Sequence, residues 1–298
     1  MKISGFFDEV SSNLDTQIKT AKELNVNYIC PRNIDGKNIS DYTLEEFENN
    51  VKPRLDAAGV SVSSLGTPFG KIALDDEEGY ANQKAKLTEL VKIAKLCNCK
   101  YIRVFSFYKH SENLQKVVER LKGFIDIAAP YGITLIHENE KHVFGDIPTR
   151  CKQLYDALGG ENFALCYDAA NYIQVKVDAM AAYEMLKDCT VYYHIKDADS
   201  KGVNVPLGMG LADYGTILAN LKQRGYGGFL TLEPHTVFYA KLKKVFALCP
   251  IVFFVPFLAK MRKAFRKIDK TRGIKMLGSV SSKAVFEWQH TALAELIK

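Results

Sequence analysis

Four polar residues each end an apolar run in the second half of the chain, and their types suit a divalent metal ion. Glu138 ends T-L-I-H-E, Asp168 ends A-L-C-Y-D, His194 ends V-Y-Y-H, and Glu233 ends F-L-T-L-E. Carboxylate oxygens and an imidazole nitrogen are ligands for Mn, Co, Mg or Zn, and the absence of a thiolate argues against a structural zinc site. If the runs are neighbouring parallel strands, the four side chains converge. We expect one divalent metal ion there.

Each of these residues, taken alone, also has a purely structural interpretation. A carboxylate at a strand end often caps the next helix or pairs with a cation, and a single histidine is often only a buried polar group. The presence of four such residues on four successive runs favours the joint metal site over four separate structural roles.

Five further residues at or just past the ends of runs are predicted to bind substrate. They are Arg32, Lys71, Arg103, Asn171 and Lys196. Lys196 lies two residues past the histidine and shares its face of the strand. The four cations favour an anionic or polyhydroxylated ligand, with phosphate, carboxylate and bare hydroxyls all open. Alternatively, Lys71 and Arg103 pair with nearby acids such as Asp75 or Glu9, and Lys196 is a surface lysine.

Eight short apolar, β-branched or aromatic runs alternate with segments of helical period. The runs span residues 2–7, 28–30, 61–66, 101–106, 133–139, 163–168, 191–196 and 229–233. Their spacing is close to the roughly 30 residues of one βα repeat. No G-x-G-x-x-G follows the first run, as a doubly wound nucleotide-binding sheet would favour. The pattern predicts an α/β fold, a single-domain (β/α)8 TIM barrel with its reacting groups at the C-terminal strand ends.

Composition and charge restrict the class of protein. The 298 residues are 47% hydrophobic and 25% charged, which excludes disordered and fibrous proteins. The net charge is +6, yet residues 236–298 carry 13 Lys+Arg against 3 Asp+Glu, which leaves −4 for residues 1–235. The predicted barrel therefore lacks the basic footprint of a nucleic-acid-binding protein. Seven cysteines without a C-x-x-C pair, and no secretory apolar region, favour the reducing cytoplasm.

The last part of the chain, residues 241–298, is predicted to be an atypical apolar-basic extension of a barrel formed by residues 1–240. Residues 245–259 are almost wholly apolar, but they contain Pro250 and Pro256 and are shorter than the roughly 20 residues of a transmembrane helix. Eight Lys and Arg follow between Lys260 and Lys275. We expect a helix packed on the barrel with a solvated basic face, followed by a closing helix that ends near Leu296. Contact with an anionic membrane surface is the alternative.

Eight stretches of the sequence match motifs of one superfamily. They are F-F-D-E-V at 6–10, G-T-P-F-G-K-I at 66–72, I-R-V-F-S-F-Y at 102–108, H-E-N-E-K at 137–141, Y-D-A-A-N at 167–171, H-I-K-D at 194–197, P-L-G-M-G at 206–210 and G-F-L-T-L-E-P-H at 228–235. As a set they resemble the sugar phosphate isomerase/epimerase group of the xylose-isomerase-like TIM barrels.

This resemblance implies one metal ion held by Glu138, Asp168, His194 and Glu233. The two glutamates would also be the catalytic acid and base on opposite faces of a bound sugar. The implied activity is a divalent-metal-dependent isomerisation or epimerisation of a sugar or sugar phosphate. It would proceed by proton abstraction next to a carbonyl through a metal-bound enediolate. By analogy with such barrels, a homo-oligomer is expected.

The chain departs from this group in three places. Relatives often have E-x-R at the end of the second strand, where this chain has Cys30, Pro31 and Arg32 and so lacks the carboxylate. Asn171 stands where a histidine is frequent, and the basic tail matches poorly. Two alternatives therefore stay open: a keto-inositol (inosose) dehydratase, and a non-catalytic sugar-binding or membrane-peripheral protein. An apurinic endonuclease is disfavoured, because it would need about three zinc ions and more histidine ligands.

Overall fold

Eight parallel strands form the centre of the fold in the described part of the chain. The computed structural model describes residues 1–108, 113–249, 259–275 and 278–298. The strands are β1 (Lys2–Gly5), β2 (Tyr28–Ile29), β3 (Ser61–Val62), β4 (Tyr101–Val104), β5 (Thr134–Glu138), β6 (Phe163–Asp168), β7 (Thr190–Ile195) and β8 (Phe229–Leu232). Each strand lies inside a predicted run or is shifted from it by one residue.

Hydrogen bonds join these strands into a ring. Six pair in parallel in the order β1, β8, β7, β6, β5, β4, and β2 pairs with β3. Cys30 N donates to Gly5 O at 2.9 Å, which joins β2 to β1. Past β3, Leu65 N donates to Tyr101 O at 3.0 Å and Arg103 N donates to Leu65 O at 2.9 Å, which joins this segment to β4. The predicted (β/α)8 barrel is confirmed.

The strands are shorter than several of the predicted runs because the chain bends away from the sheet at the mouth. A 3-10 turn, Phe7–Glu9, follows β1 almost at once. Two short antiparallel hairpins that the sequence did not predict also lie past strand ends. They pair Asn33–Ile34 with Lys37–Asn38 and Asp197–Ala198 with Asn204–Val205. These segments start the loops that surround the mouth of the barrel.

Helices cover the outside of the barrel. In the described residues they are α1 (Leu14–Glu23), α2 (Leu44–Asn50), α3 (Lys52–Ala58), α4 (Glu77–Leu96), α5 (Leu114–Ala128), α6 (Pro148–Leu158), α7 (Ala169–Gln174), α8 (Ala179–Leu186), α9 (Tyr214–Gln223), α10 (Val237–Leu248), α11 (Ala259–Arg272) and α12 (Ser282–Leu296). Asn13 and Asp76 begin α1 and α4 by accepting backbone hydrogen bonds. The segment of helical period between the fourth and fifth runs is α5, which buries Leu121 and Phe124 on one face.

The last three helices form a second apolar cluster. The rings of Tyr239 on α10 and Phe265 on α11 meet with centroids 4.8 Å apart, and Val285 of α12 lies in the same cluster. Ile268 lies in the same buried face of α11. Phe286, the residue after Val285 in α12, instead joins the main core by packing against Phe7 in the turn after β1. The predicted apolar stretch 245–259 lies partly outside the described residues, because 250–258 are not described. No helix of the described chain is long and apolar enough to cross a membrane.

A layer of hydroxyl groups lies inside the barrel beneath the strand ends. Tyr192 of β7 donates to Ser63 Oγ at 2.9 Å and lies 2.5 Å from Thr231 Oγ1 of β8. Ser63 Oγ in turn lies 2.6 Å from Ser4 Oγ of β1. All four side chains are buried. This network ties four strands together, and its residues share an inward face with the polar residues at the mouth.

We expect Tyr192→Phe to lower the free energy of unfolding by about 1–3 kcal/mol, because the change leaves a buried Thr231 hydroxyl without its partner. Urea unfolding followed by circular dichroism measures the effect. Tyr155→Phe is the matched control, because the Tyr155 ring is only half buried and its hydroxyl has no hydrogen bond to the described residues. Equal stability of the two variants would show that the hydroxyl layer does not stabilise the barrel.

Candidate metal centre and active site

Four side chains converge at the C-terminal mouth of the barrel, and they are Glu138, Asp168, His194 and Glu233. Each offers one ligand-type atom, and these atoms all lie within 4.8 Å of one another. Asp168 and His194 are register partners on β6 and β7, while Glu138 ends β5 and Glu233 follows β8. All four are at most 3% exposed. We call these four residues the ligand cluster.

Several atoms of the ligand cluster lack a hydrogen-bond partner. Both ring nitrogens of His194 are buried without one. Asp168 Oδ2 and Glu233 Oε2 also lack a hydrogen bond of good geometry, although the ammonium of Lys196 lies 2.9 and 3.6 Å from them. His194 Nδ1 lies 3.0 Å from Glu138 Oε1 and 3.3 Å from Glu233 Oε2, as a close polar contact without hydrogen-bond geometry. Buried polar atoms without partners are costly, and a cation between them would satisfy them. These residues fit a divalent metal ion and could hold one.

The electrostatics of the ligand cluster favour positive charge at its centre. Burial lowers the pKa of His194, but Cys166 and Glu138 outweigh burial and raise this pKa well above its ordinary value. Burial raises the pKa of Asp168 to about 6. Burial also opposes ionisation of Glu138, yet His194 and Arg103 outweigh it and lower the pKa of Glu138 to about 2. A metal ion would take the place of the proton on His194, since a ligating imidazole is neutral.

Asp168 has two structural connections, one from each carboxylate oxygen. Its Oδ1 accepts a hydrogen bond from Asn171 N at 3.0 Å and so caps α7, while Oδ2 faces the ligand cluster. Asn139 fixes the backbone of Asp168 with hydrogen bonds of 2.9 Å in both directions. The capping role and the ligand position, which were alternatives at the level of the sequence, are therefore compatible in one residue.

Asn171, predicted to bind substrate from a loop, lies instead in the first turn of α7. The helix begins there because Asp168 caps it directly after the strand. The Asn171 amide donates to Asn139 O at 2.8 Å and to Glu138 Oε1 at 3.3 Å. Its side chain is buried and holds a member of the ligand cluster in place.

Two arginines hold the two glutamates of the cluster. Arg32 Nη1 donates to Glu233 Oε1 at 2.8 Å, and the same guanidinium binds both oxygens of Asp8 at 2.8 and 3.0 Å. Arg103 Nη1 donates to Glu138 Oε2 at 3.0 Å. Arg103 thus pairs with the glutamate at the mouth, and neither Asp75 nor Glu9 is its partner among the pairs the structure shows.

The two predicted lysines are also paired with acids. Lys71 Nζ lies 3.1 Å from Glu140 Oε2. Lys196 Nζ lies 2.9 Å from Asp168 Oδ2 and 3.6 Å from Glu233 Oε2. Lys196 is 4% exposed, so the alternative interpretation that it is a surface lysine is wrong. Its side chain points into the mouth, as the two-residue alternation from His194 predicts.

A cavity of about 180 Å³ opens over the ligand cluster. Its charged lining consists of Arg32, Lys71, Arg103, Lys196, Glu138, Glu140, Glu233 and His235. Asp168 and His194 are fully buried beneath it. The two glutamates therefore face the cavity and the centre of the ligand cluster at the same time.

Besides Asn139 and Glu140, three residues contact the site that the sequence did not predict. Asp8 binds Arg32, His235 Nε2 lies 3.0 Å from Glu233 Oε1, and the Phe6 ring meets the His194 ring edge-on at 5.1 Å. All three lie just past the ends of β1 and β8, which adjoin in the closed ring. Their signal was present, because the motifs at 6–10 and 228–235 contain them, but no role was assigned to them.

Comparison with known proteins identifies the family. The family model described as xylose isomerase-like TIM barrel matches residues 18–242. The chain belongs to this family. The predicted superfamily is thereby confirmed. No curated protein sequence matches the chain significantly.

Solved structures share the fold of this xylose isomerase-like barrel at low sequence identity. The IolI protein with a bound zinc atom is 14% identical at a TM-score of 0.70, with 100% of this chain and 98% of that chain covered. L-ribulose 3-epimerase is 15% identical at a TM-score of 0.67, with 100% and 94% covered. The probable 3-DHS dehydratase AsbF of Bacillus anthracis is 16% identical at 0.65, with 78% and 92% covered.

We expect Asp168→Asn to weaken metal binding while leaving α7 capped, because an amide oxygen can still accept from Asn171 N but the amide nitrogen cannot bind a cation. Elemental analysis after loading with Mn, Co or Zn should find about one equivalent in the parent protein and at least about tenfold weaker binding in the variant.

Asp178→Asn is the matched control, since Asp178 caps α8 in the same way on the exposed outside of the barrel. It should bind as much metal as the parent. Full metal occupancy in Asp168→Asn, with the fold intact, would exclude Asp168 from the metal site.

Proposed function

We propose that this protein is a divalent-metal-dependent isomerase or epimerase of a sugar or sugar phosphate. One observation supports the proposal above the others. Glu138 and Glu233 face both the centre of the ligand cluster and the cavity, so each can contact a metal ion and a substrate carbon from the same position. Asp168 and His194 are buried below and fit a ligand role only.

A metal ion held by Glu138, Asp168, His194 and Glu233 would polarise a substrate carbonyl and its neighbouring hydroxyl, which makes the proton on the adjacent carbon removable. One glutamate takes that proton, and an enediolate results. Return of the proton by that glutamate to the neighbouring carbon would give isomerisation. Delivery of a proton to the opposite face of the first carbon by the other glutamate, in its protonated form, would give epimerisation.

The two glutamates are placed for both outcomes. Glu138 ends β5 and Glu233 follows β8, and β6 and β7 lie between these strands in the ring. The two carboxylates therefore approach His194 Nδ1 from different strands. Two proton carriers on two sides of a bound sugar permit removal from one face and return on the other. This arrangement supports epimerisation as well as isomerisation.

Neighbouring cations decide the protonation state of these glutamates. Burial disfavours the ionised form of Glu233, but Lys196 and His235 outweigh burial and lower its pKa well below the ordinary value. The pKa of Glu138 is lowered as well. Both are therefore ionised near neutral pH before substrate binds, which suits the glutamate that takes the proton, although a low pKa also makes a weaker base. For epimerisation the other glutamate must first take up a proton, from solvent or from the first glutamate. Arg32 and Arg103 additionally fix the carboxylate that each one binds.

Three predictions from the sequence concern the chain outside this site. The boundary at residue 240, a homo-oligomer and membrane contact by the C-terminal segment stay predictions. All seven cysteines are unpaired, which fits a reducing compartment, and we propose the cytoplasm on that ground. The proposed partner is a small-molecule sugar or sugar phosphate.

We expect Glu138→Gln and Glu233→Gln to abolish solvent proton exchange into substrate, because an amide cannot accept and return a proton. Metal-loaded protein would be incubated in deuterated water with ketopentoses, ketohexoses and inososes, and deuterium incorporation would be followed by NMR. Chelation should stop the exchange, and renewed metal should restore it.

Glu45→Gln, on the exposed first turn of α2, is the control and should exchange at the parent rate. Retained exchange in Glu233→Gln would remove Glu233 from the proposed acid/base pair. Loss of water from the product, detected by mass, would replace the isomerase with a dehydratase.

A further inference from the structure

Each cation that lines the cavity in the described part of the chain is already paired with a carboxylate. The pairs are Arg32 with Asp8 and Glu233, Arg103 with Glu138, Lys196 with Asp168, and Lys71 with Glu140. A phosphate-binding site needs the reverse, namely cations whose donors face the ligand without a competing acid.

Most of these pairs are buried, so an anionic ligand cannot easily compete for the cation. The side chains of Arg103 and Lys196 are 7% and 3% exposed, and those of their partners at most 2%. Removing one partner of a buried ion pair leaves a desolvated charge behind, which is strongly unfavourable. Lys71 and Glu140 differ, because their side chains are 31% and 19% exposed. They are the most accessible of these pairs.

The balance of charge gives the same result. Six carboxylates lie in or beside this site, and they are Asp8, Glu9, Glu138, Glu140, Asp168 and Glu233. They face four cations, so two negative charges are in excess when all six are ionised. A bound divalent metal ion would neutralise these two charges and would leave no net positive charge for a phosphate group.

An uncharged polyol meets no such obstacle. Each of its hydroxyls can donate to a carboxylate and accept from a guanidinium or ammonium at the same time. It therefore bridges the two members of an existing pair without separating them. The small volume of the cavity, about 180 Å³, also suits a ligand smaller than the usual occupants of pockets of roughly 300–1,000 Å³.

We infer that the site takes an uncharged polyhydroxylated ligand, a free ketose or cyclic keto-polyol, and discriminates against phosphate esters, with the Lys71–Glu140 pair as the element that withholds a phosphate-binding cation. The inference rests on the proposed function, which leaves phosphorylation open, and narrows its substrate class.

Calorimetric titration of the metal-loaded protein tests this inference by binding alone. Neutral ketopentoses and ketohexoses would be compared with their terminal phosphate esters at one ionic strength. We expect the neutral sugars to bind at least about tenfold more tightly, a difference of 1.4 kcal/mol. Equal or tighter binding of the esters would overturn the inference.

The variant Glu140→Gln tests the role of the Lys71–Glu140 pair, because it should increase the affinity for phosphate esters, which a merely structural role of the pair would not do. The change frees Lys71, and we expect binding of the phosphate esters to tighten by about tenfold while binding of the neutral sugars does not tighten. Glu184→Gln is the matched control, because Glu184 forms an exposed pair with Lys187 on α8 and its loss should change neither affinity. Unchanged ester binding in Glu140→Gln would refute the role of the pair.

The two hypotheses fail in different ways. Proton exchange accompanied by tight ester binding would sustain the isomerase and overturn the charge selectivity. Selective binding of neutral sugars without any proton exchange would sustain the charge selectivity and overturn the isomerase.

Discussion

Burial of several carboxylates at one end of the barrel is the constraint on which the rest of the site depends. Glu138, Asp168 and Glu233 are removed from water at the strand ends, and ionised carboxylates there are very unfavourable without positive charge nearby. Arg103 and Lys196 supply part of that charge from β4 and from the residue after β7. The imidazole nitrogens of His194 have no hydrogen bond, and Asp168 Oδ2 and Glu233 Oε2 share the single ammonium of Lys196. Positive charge is therefore still lacking at this centre, which is why a divalent cation fits this chain.

The barrel makes this arrangement rigid by connecting the site to the backbone on several sides. Asp168 caps α7 with one oxygen, so the helix cannot shift without moving a ligand-type atom. Asn139 binds the backbone of Asp168, and the hydroxyl layer around Tyr192 connects β7 and β8 just below His194 and Glu233. Preorganisation of this kind would keep the proposed acid, base and cation position fixed when substrate binds.

The sequence predicted the barrel and the convergence of the ligand cluster because both depend on local pattern. A polar residue that ends an apolar run must lie at the mouth once the strands are parallel. It could not predict the partners of Arg32, since Asp8 and Glu233 lie 24 and 201 residues away and meet it only when the ring closes. The helical position of Asn171 was missed for a different reason, because capping by Asp168 starts a helix where the strand ends.

Strands and loops therefore divide the determinants of function between them. The ligand cluster is fixed by strand ends, whose positions the closed ring dictates. Lys71 and Glu140 instead lie in the loops after β3 and β5, where substitution does not disturb the sheet. A single exchange in such a loop changes how many cations face the cavity while the metal position stays the same. Barrels of one family can in this way keep one proton-transfer chemistry and differ in whether the sugar carries a charge.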